Sequence, residues 1–382
     1  MLALLLVCAP AWAQAPAAAA PAIAPAGERP RVGLVLSGGG ARGFAHVGVL
    51  KALEAARVPV DVIVGTSMGA IIGGLYASGM TAEDLEREIL AVNWGDLFDR
   101  REPRQLLSQR RKEEDFELSP VLMLGFRNGE FVLPTGAVST RSLEMLLRRY
   151  TLSTRHLASF DGLPTPFRAV ATDMETGQAV VLDHGDLAAA LRASMSVPAV
   201  FSPLAVDGRV LGDGGLVNNL PVDVARRMGA DVVIAVNIGT PLAGRETLGS
   251  VVGITTQMVN ILTEQNVQAS IATLTPRDLL LAPPLGQLTS ADFGRAAELV
   301  KLGNDYAKTV SEALARFSVD APHYQRWVAT REAEAQANTG RIGAVASVKF
   351  EGVNEQRAER LATTMDTTEG QRLDVPKLED DL

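Results

Sequence analysis

The stretch Asp61-Val62-Ile63-Val64-Gly65-Thr66-Ser67-Met68-Gly69-Ala70 constrains the fold of this chain more than any other. Val60 and the run Val62 to Val64 are strand-forming, and the residues after the turn, Ala70 to Tyr76, are helix-compatible as far as Gly79. Between them, Gly65 and Gly69 bracket Ser67 in the G-x-S-x-G spacing. A strand that bends this sharply into a helix brings two backbones close together, and a Cβ at either glycine would clash. The bend pushes the serine hydroxyl out of the sheet. The competing reading is a structural turn whose serine caps the next helix. In a chain with 35 glycines the pentapeptide alone is only moderately specific. The strand before it and the helix after it supply the context the motif requires.

A second glycine cluster lies upstream. Arg31 to Leu36 is a short β-rich run, followed by Ser37, then Gly38-Gly39-Gly40-Ala41-Arg42-Gly43, then a periodic helix from Phe44 to Ala56. Glycines between a strand and a helix leave backbone N–H groups free at the helix start, able to hold a phosphate or a developing oxyanion. The G-x-G-x-x-G pattern of a dinucleotide site is formally present. Its acidic partner should follow about 20 residues on, at the end of a second strand. Asp61 is about that far along but precedes its strand. A Walker lysine is absent, which removes the P-loop reading. With the serine elbow following, an oxyanion hole is the economical interpretation, and no cofactor or metal is called for.

The serine needs a base. The chain has four histidines, His46, His156, His184 and His323, and none sits in a segment built for catalysis. Asp213 does. It ends a short strand in Val210-Leu211-Gly212-Asp213-Gly214-Gly215, where two glycines allow a tight turn and the close approach of another loop. Taken alone, an ordinary Asp-Gly turn explains it as well.

Together these segments resemble the patatin-like phospholipase family. Gly38 to Gly43 match its oxyanion loop, Gly65-Thr66-Ser67-Met68-Gly69 its nucleophile elbow, and Asp213-Gly214-Gly215 its catalytic aspartate motif. Ala193 to Pro203 (ASMSVPAVFSP) is similar to the segment the family carries upstream of that aspartate. The resemblance covers roughly residues 31 to 310. It implies a three-layer α/β/α fold with a mostly parallel sheet, and a Ser67–Asp213 dyad that hydrolyses acyl esters of lipids without a histidine. Backbone N–H groups around Gly39 to Ala41, aided by the Arg42 guanidinium, would hold the oxyanion. Phospholipid, or another acyl-ester lipid presented at a membrane surface, is the expected partner.

An aspartate of ordinary acidity is a poor match to a serine hydroxyl. Desolvation must strengthen it as a base. Two alternatives stay open. One is a Ser-His-Asp esterase, since the order Ser67, Asp213, His323 fits an α/β-hydrolase. The other is a non-catalytic lipid-binding passenger of an outer-membrane protein.

Composition bounds the rest. The chain has 382 residues, is 47% apolar, carries a net charge of −8 and shows no basic stripe with interleaved aromatics, which argues against nucleic-acid binding. Its single cysteine, Cys8, allows no disulfide framework. Residues 1–13 resemble a signal peptide, apolar and closed by Ala11-Trp12-Ala13 but lacking an early Lys or Arg, so export to the periplasm, outer membrane or medium is expected. Residues 14–30 are an Ala/Pro-rich linker, 31–317 the enzyme domain, and 318–345 a second, polar linker. Residues 101–115 form a charged loop, and Arg127-Asn128-Gly129 turns a hairpin within Val121 to Pro134 that could face lipid. Residues 346–382 resemble the opening of a POTRA domain, with a strand at Ala346 to Val353 and a helix from Asn354; the rest of that domain and a β-barrel would lie beyond.

Overall fold

The computed structural model describes residues 29–97, the strand residues 125–127 and 130–132, and, with short gaps, residues 140–381. In its first half the elements are β1 (Val32–Leu36), α1 (Ala45–Ala55), β2 (Val62–Thr66), α2 (Met68–Ala77), α3 (Ala82–Ala91), β3 (Gly125–Arg127), β4 (Glu130–Val132) and α4 (Arg141–Tyr150). Then come β5 (Phe167–Asp173), β6 (Ala179–Leu182), α5 (Leu187–Ser194), β7 (Leu204–Val206), β8 (Arg209–Asp213), α6 (Val222–Arg227) and β9 (Val232–Val236). The remainder are α7 (Val251–Ile271), β10 (Leu279–Leu281), α8 (Ala296–Thr309), α9 (Ala321–Gly340) and α10 (Glu355–Thr364).

The main sheet has the order β10-β9-β1-β2-β5-β8-β7, with β6 also on β5. The first five strands are parallel. Strands β6 and β8 run antiparallel to β5, and β7 antiparallel to β8. Every residue of β1, β2 and β9 is buried, which is why these strands read as continuous apolar runs rather than alternating ones. Their side chains divide between two cores. Leu34, Leu36 and Ile63 pack with α1, α2 and α8, whereas Val35, Val62, Val64 and Val233 pack with α6 and Val267 of α7. The architecture is therefore the expected α/β/α sandwich.

One feature of the pairing positions the site. Strands β6 and β8 both pair with Ala171 and Thr172, so they occupy opposite edges of β5. Strands β6 and β2 both pair with Ala169 and Val170, so they too lie on opposite edges. Consequently β2 and β8 share one edge of β5. They run toward each other, with Thr66 opposite Val170 and Asp213 opposite Ala171. Their C-terminal ends meet head to head.

Local signals account for most boundaries. Thr81 caps α3 in a capping box with Asp84, as its position before a periodic run predicts. Asn354 caps α10 by accepting the Arg357 N–H at 3.0 Å. Two readings need correction. The expected linker 318–345 contains the 20-residue helix α9. Its buried residues are the polar Arg331 and Asn338, and its apolar contacts, Trp327 among them, are only half-buried, so its hydrophobic period is weak. The Arg331 guanidinium stacks over Tyr76 at 4.4 Å and Trp327 at 4.7 Å and donates to the Tyr76 carbonyl at 2.6 Å. The alternating run from Ala346 forms no strand among the described residues; only an isolated bridge, Ala344 to Arg372, is made nearby. A strand needs a paired neighbour, and among the described residues none pairs with residues 346–350. The expected signal peptide at residues 1–13, nearly all of the Ala/Pro-rich linker and the charged loop 101–115 lie outside the described residues. Of the hairpin, the β3–β4 backbone pairing is described, with Phe126 opposite Phe131.

Replacing Arg331 with alanine removes a buried stack and a charge-assisted hydrogen bond, and should cost about 3 kcal/mol. Urea unfolding should register that loss, with faster amide exchange along α9. Lysine should restore less than half of it, because an ammonium cannot stack as a plane.

Candidate active site

Ser67 sits between β2 and α2 with φ 54° and ψ −126°, a conformation that a residue with a Cβ adopts only under constraint. The constraint is visible. A Cβ on Gly65 would be driven into the Gly69 carbonyl, and one on Gly69 into the Leu36 carbonyl of β1. The Ser67 N–H donates to Ser194 Oγ at 2.9 Å, and Ser194 Oγ donates to the Val170 carbonyl at 2.5 Å. Ser194, the last residue of α5, thus ties the elbow to β5.

Asp213, at the end of β8, meets the elbow there. Its own N–H donates to the Ser196 carbonyl at 2.9 Å, and its carbonyl accepts the Thr172 hydroxyl at 2.7 Å. Asp213 Oδ1 accepts the Gly215 N–H at 2.7 Å. Oδ2 is buried and has no hydrogen-bond partner among the described residues. Burial pushes the carboxyl up to about 6; the Ser67 hydroxyl beside it and the Gly215 N–H act the other way. The serine is thus close enough to favour the charged carboxylate, while the apo geometry falls short of a closed hydrogen bond, as catalytic pairs often do before substrate binds. Both residues are almost wholly buried, at 5% and 6% exposure.

The glycine loop passes over the same point. An added Cβ at Gly38 would lie 2.8 Å from the Ser67 Cβ, so this backbone stands against Ser67. Asn219 holds Gly38 at both ends, its Oδ1 accepting the Gly38 N–H at 3.1 Å and its Nδ2 donating to the Gly38 carbonyl at 3.3 Å. Gly40, at φ +58°, opens a short 3-10 turn through Phe44. The Ala41 N–H is taken by the Ser290 carbonyl at 2.9 Å. Among the described residues no hydrogen bond takes up the N–H of Gly39 or Gly40. The expectation for Arg42 needs correction: its guanidinium is buried and turned away, donating to the carbonyls of Ile238 at 3.0 Å and Leu288 at 2.5 Å. It fastens the loop to two neighbouring segments.

None of the four histidines is hydrogen-bonded to Ser67 or Asp213 among the described residues. His323 is exposed beside Asp320, at 2.6 Å, near the start of α9. That helix docks on Tyr76, at the far end of α2 from Ser67, about 13 Å away at 1.5 Å per residue. His184 is exposed beside Asp183, and His156 is exposed in a loop. His46 is fully buried, its Nε2 at 2.8 Å from the Ser37 carbonyl, and burial lowers its pKa to about 4. It is a neutral donor that anchors the start of the glycine loop.

Sequence reasoning missed several supports. Ser194 lay inside the quoted Ala193-to-Pro203 segment without a role. Arg192, buried, donates to Ser196 Oγ at 2.7 Å and the Ser202 carbonyl at 2.9 Å, fixing the segment that receives the Asp213 N–H. Thr263 and Asn266 of α7 both donate to the Gly215 carbonyl, at 3.0 and 2.9 Å. The doublet Asn218-Asn219 beside the Asp-Gly-Gly turn was the one local hint.

A family model described as patatin-like phospholipase matches residues 34–226, a span containing the glycine loop, the elbow and Asp213. Similar proteins include the patatin-like phospholipase domain-containing proteins ZK370.4 of Caenorhabditis elegans and 6 of Homo sapiens. The first is 32% identical over 307 residues, 74% of this chain, and the second 31% identical over 312 residues, 75% of this chain. The chain spans about a fifth of each relative's length (21%). Among solved structures, VipD from Legionella pneumophila aligns over 81% of this chain and 75% of its own, at 16% identity and a TM-score of 0.42.

The raised Asp213 pKa has a consequence for stability. The folded state holds that proton to higher pH than the unfolded chain does, so its stabilising effect is present in acid and lost as pH rises from about 4 to about 6. Asp213→Asn removes the buried charge with little change of shape. It should raise unfolding free energy by up to about 3 kcal/mol at pH 7.5 and by roughly half that at pH 5. Urea unfolding at the two pH values measures the difference.

Proposed function

The chain belongs to the patatin-like phospholipase family, and from that premise we propose that it hydrolyses acyl esters of lipids with Ser67 as nucleophile and Asp213 as its base. The observation that carries the reading is the meeting of β2 and β8 on one edge of β5, which brings a strained serine beside a desolvated carboxylate with a free oxygen. Ser67 Oγ attacks the ester carbonyl as Asp213 Oδ2 takes its proton. The oxyanion is received by the N–H groups of Gly39 and Gly40, one such donor being worth about 2.7–4 kcal/mol in a transition state. Asp213 returns the proton to the leaving alcohol, and the acyl group stays on Ser67. Asp213 then deprotonates a water, which cleaves the acyl-enzyme and regenerates the serine.

Ser67→Ala and Asp213→Asn should each lower kcat/KM on a fluorogenic acyl ester by at least 1,000-fold, as removal of a nucleophile or its base does. His323→Ala should stay within about twofold of wild type. The pH profile of kcat/KM should fall on the acid side with an apparent pKa near 6, where the carboxyl becomes protonated. Near-normal turnover by either dyad variant would remove the mechanism.

The route to the lipid is part of the same reading. Residues 247–263 carry no charge, and Ile254, Met258, Ile261 and Leu262 of α7 are exposed at 39–59%. The same helix reaches the Gly215 carbonyl through Thr263 and Asn266. No helix among the described residues is long and apolar enough to cross a membrane. An uncharged patch of exposed apolar side chains beside a lipid-hydrolysing site is suited to docking on a lipid surface. The paired change Met258→Glu and Leu262→Glu should lower the ratio of activity on phosphatidylcholine vesicles to activity on a short soluble ester about tenfold. An unchanged ratio would count against α7 as the docking face.

A further inference from the structure

The turn after Asp213 and the glycine loop are both tied to one side chain of α7. Asn266 bridges residues 215 and 219: its Nδ2 donates to the Gly215 carbonyl at 2.9 Å, and its Oδ1 accepts the Asn219 N–H at 2.8 Å. Nδ2 also donates to the Leu262 carbonyl, one turn back in α7, at 3.0 Å. Two acceptors at the nitrogen and one donor at the oxygen leave a single orientation for the amide. Thr263 Oγ1 donates to the same Gly215 carbonyl at 3.0 Å. Thr263, Asn266 and Val267 share one face of the helix, and Val267 is fully buried in the core with Val35, Val64 and Val233, so that face is fixed against the sheet.

Each bonded residue serves one half of the candidate site. The Gly215 N–H holds Asp213 Oδ1, and the Asn219 side chain holds Gly38 at both its N–H and its carbonyl. A Cβ on Gly215 would lie 2.9 Å from Asp213 Oδ1 and 3.0 Å from Asn219 Oδ1, so the two oxygens stand over the same carbon. The peptide joining Asn218 to Asn219 is held from both sides. Its carbonyl accepts the hydroxyl of Thr66, the residue before Ser67, at 2.9 Å, and its N–H goes to Asn266. Elbow, carboxylate turn and glycine loop thus converge on residues 215–219, and Asn266 closes that segment.

We propose that Asn266 is a positioning residue for the reaction: by bracing Gly215 and Asn219 it sets the Asp213 carboxylate and the glycine loop in register with Ser67. The inference rests on the Ser67–Asp213 reading. An amide is required because it supplies donor and acceptor at once. A carboxylate there would set oxygen against two carbonyls, and an apolar side chain would leave the Gly215 carbonyl and the Asn219 N–H without this brace. A loss of register is felt in the chemical step more than in substrate binding, a misplacement of about 1 Å costing about 100-fold.

The test replaces Asn266 with leucine, close to it in volume, and separately with alanine, and adds Thr263→Val, which touches the Gly215 carbonyl alone. On a short soluble p-nitrophenyl ester at about pH 8, kcat of both Asn266 variants should fall roughly 30-fold with KM within about twofold of wild type. Burial, the Ser67 hydroxyl and the Gly215 N–H act on the Asp213 carboxyl, and no charged side chain among the described residues joins them. Because the Gly215 N–H favours the ionised form, loosening its turn should move the acid limb of kcat/KM to higher pH, by about half a unit in the Asn266 variants and by less in Thr263→Val. Amide exchange at Gly38, read by NMR of 15N-glycine-labelled protein, should quicken about tenfold in the Asn266 variants and stay unchanged in Thr263→Val, with Gly48 of α1 unmoved in all. Unchanged kcat in the Asn266 variants would overturn the proposal. So would a lower kcat with either the acid limb or Gly38 exchange unmoved, the mark of a merely structural residue. If wild type hydrolyses no ester, the dyad reading fails instead, and titration of the 13C-labelled Asp213 carboxyl together with Gly38 exchange decides the brace: movement of both in the Asn266 variants supports it, and anything less overturns it. Should one Asn266 variant not fold, as judged by its thermal transition, the other carries the comparison.

Discussion

Everything at this site depends on two strands that end against each other. Because β2 and β8 occupy the same edge of β5 and run in opposite senses, their last residues converge on the Val170–Ala171 peptide. Hydrogen bonds seal the junction on several sides. Ser194 links the Ser67 N–H to the Val170 carbonyl, Thr66 Oγ1 donates to the Asn218 carbonyl at 2.9 Å, and Thr172 holds the Asp213 carbonyl. These contacts hold Ser67 at its strained φ. Sheet ladders are rigid elements, so Ser67 and Asp213 are placed by the ends of paired strands and not by a mobile loop.

In the proposed mechanism an aspartate stands where a histidine is usual, and the same geometry bears on that choice. In water a carboxylate is too weak a base for a serine hydroxyl. At this junction it is desolvated, one oxygen satisfied by the Gly215 N–H and the other left to the serine. A buried, half-satisfied charge is unfavourable to the fold, and the same burial raises the pKa of the carboxyl. The site therefore holds a carboxylate in an environment that disfavours its charge, and the proposed proton transfer from serine would relieve the disfavour. The stability lost and the basicity gained have the same cause.

Much of this was legible in the chain. Continuous apolar runs at β1, β2 and β9 announced buried parallel strands, and the elbow and the two glycine turns announced themselves by residues that only a tight backbone requires. Thr81 and Asn354 marked their helices by capping chemistry. What escaped was held by polar groups acting through space. Arg331 docks α9 through stacking on Tyr76, and no hydrophobic period records a guanidinium used as a core residue. Arg42 stood next to the glycines and was read as an oxyanion partner, yet two carbonyls from residues far along the chain claim it. The strand β7, hidden before Asp207-Gly208, had a turn signal that its short length made easy to pass over. Contacts set by sequence-distant carbonyls leave no local pattern.

With Arg42 bound to Ile238 and Leu288, an oxyanion hole in the glycine loop, as proposed, would rely on backbone alone, and the loop's rigidity would be its central requirement. Three anchors supply it. Asn219 grips Gly38 on both sides, Arg42 fastens the turn to Ile238 and Leu288, and His46 holds the Ser37 carbonyl from beneath. The histidine anchor is insensitive to pH over the range that matters. Burial keeps His46 neutral down to about 4, well below the pH at which Asp213 takes up its proton. As acidity rises through 6, therefore, the base of the proposed dyad would be protonated while the His46 anchor of the loop keeps its neutral form.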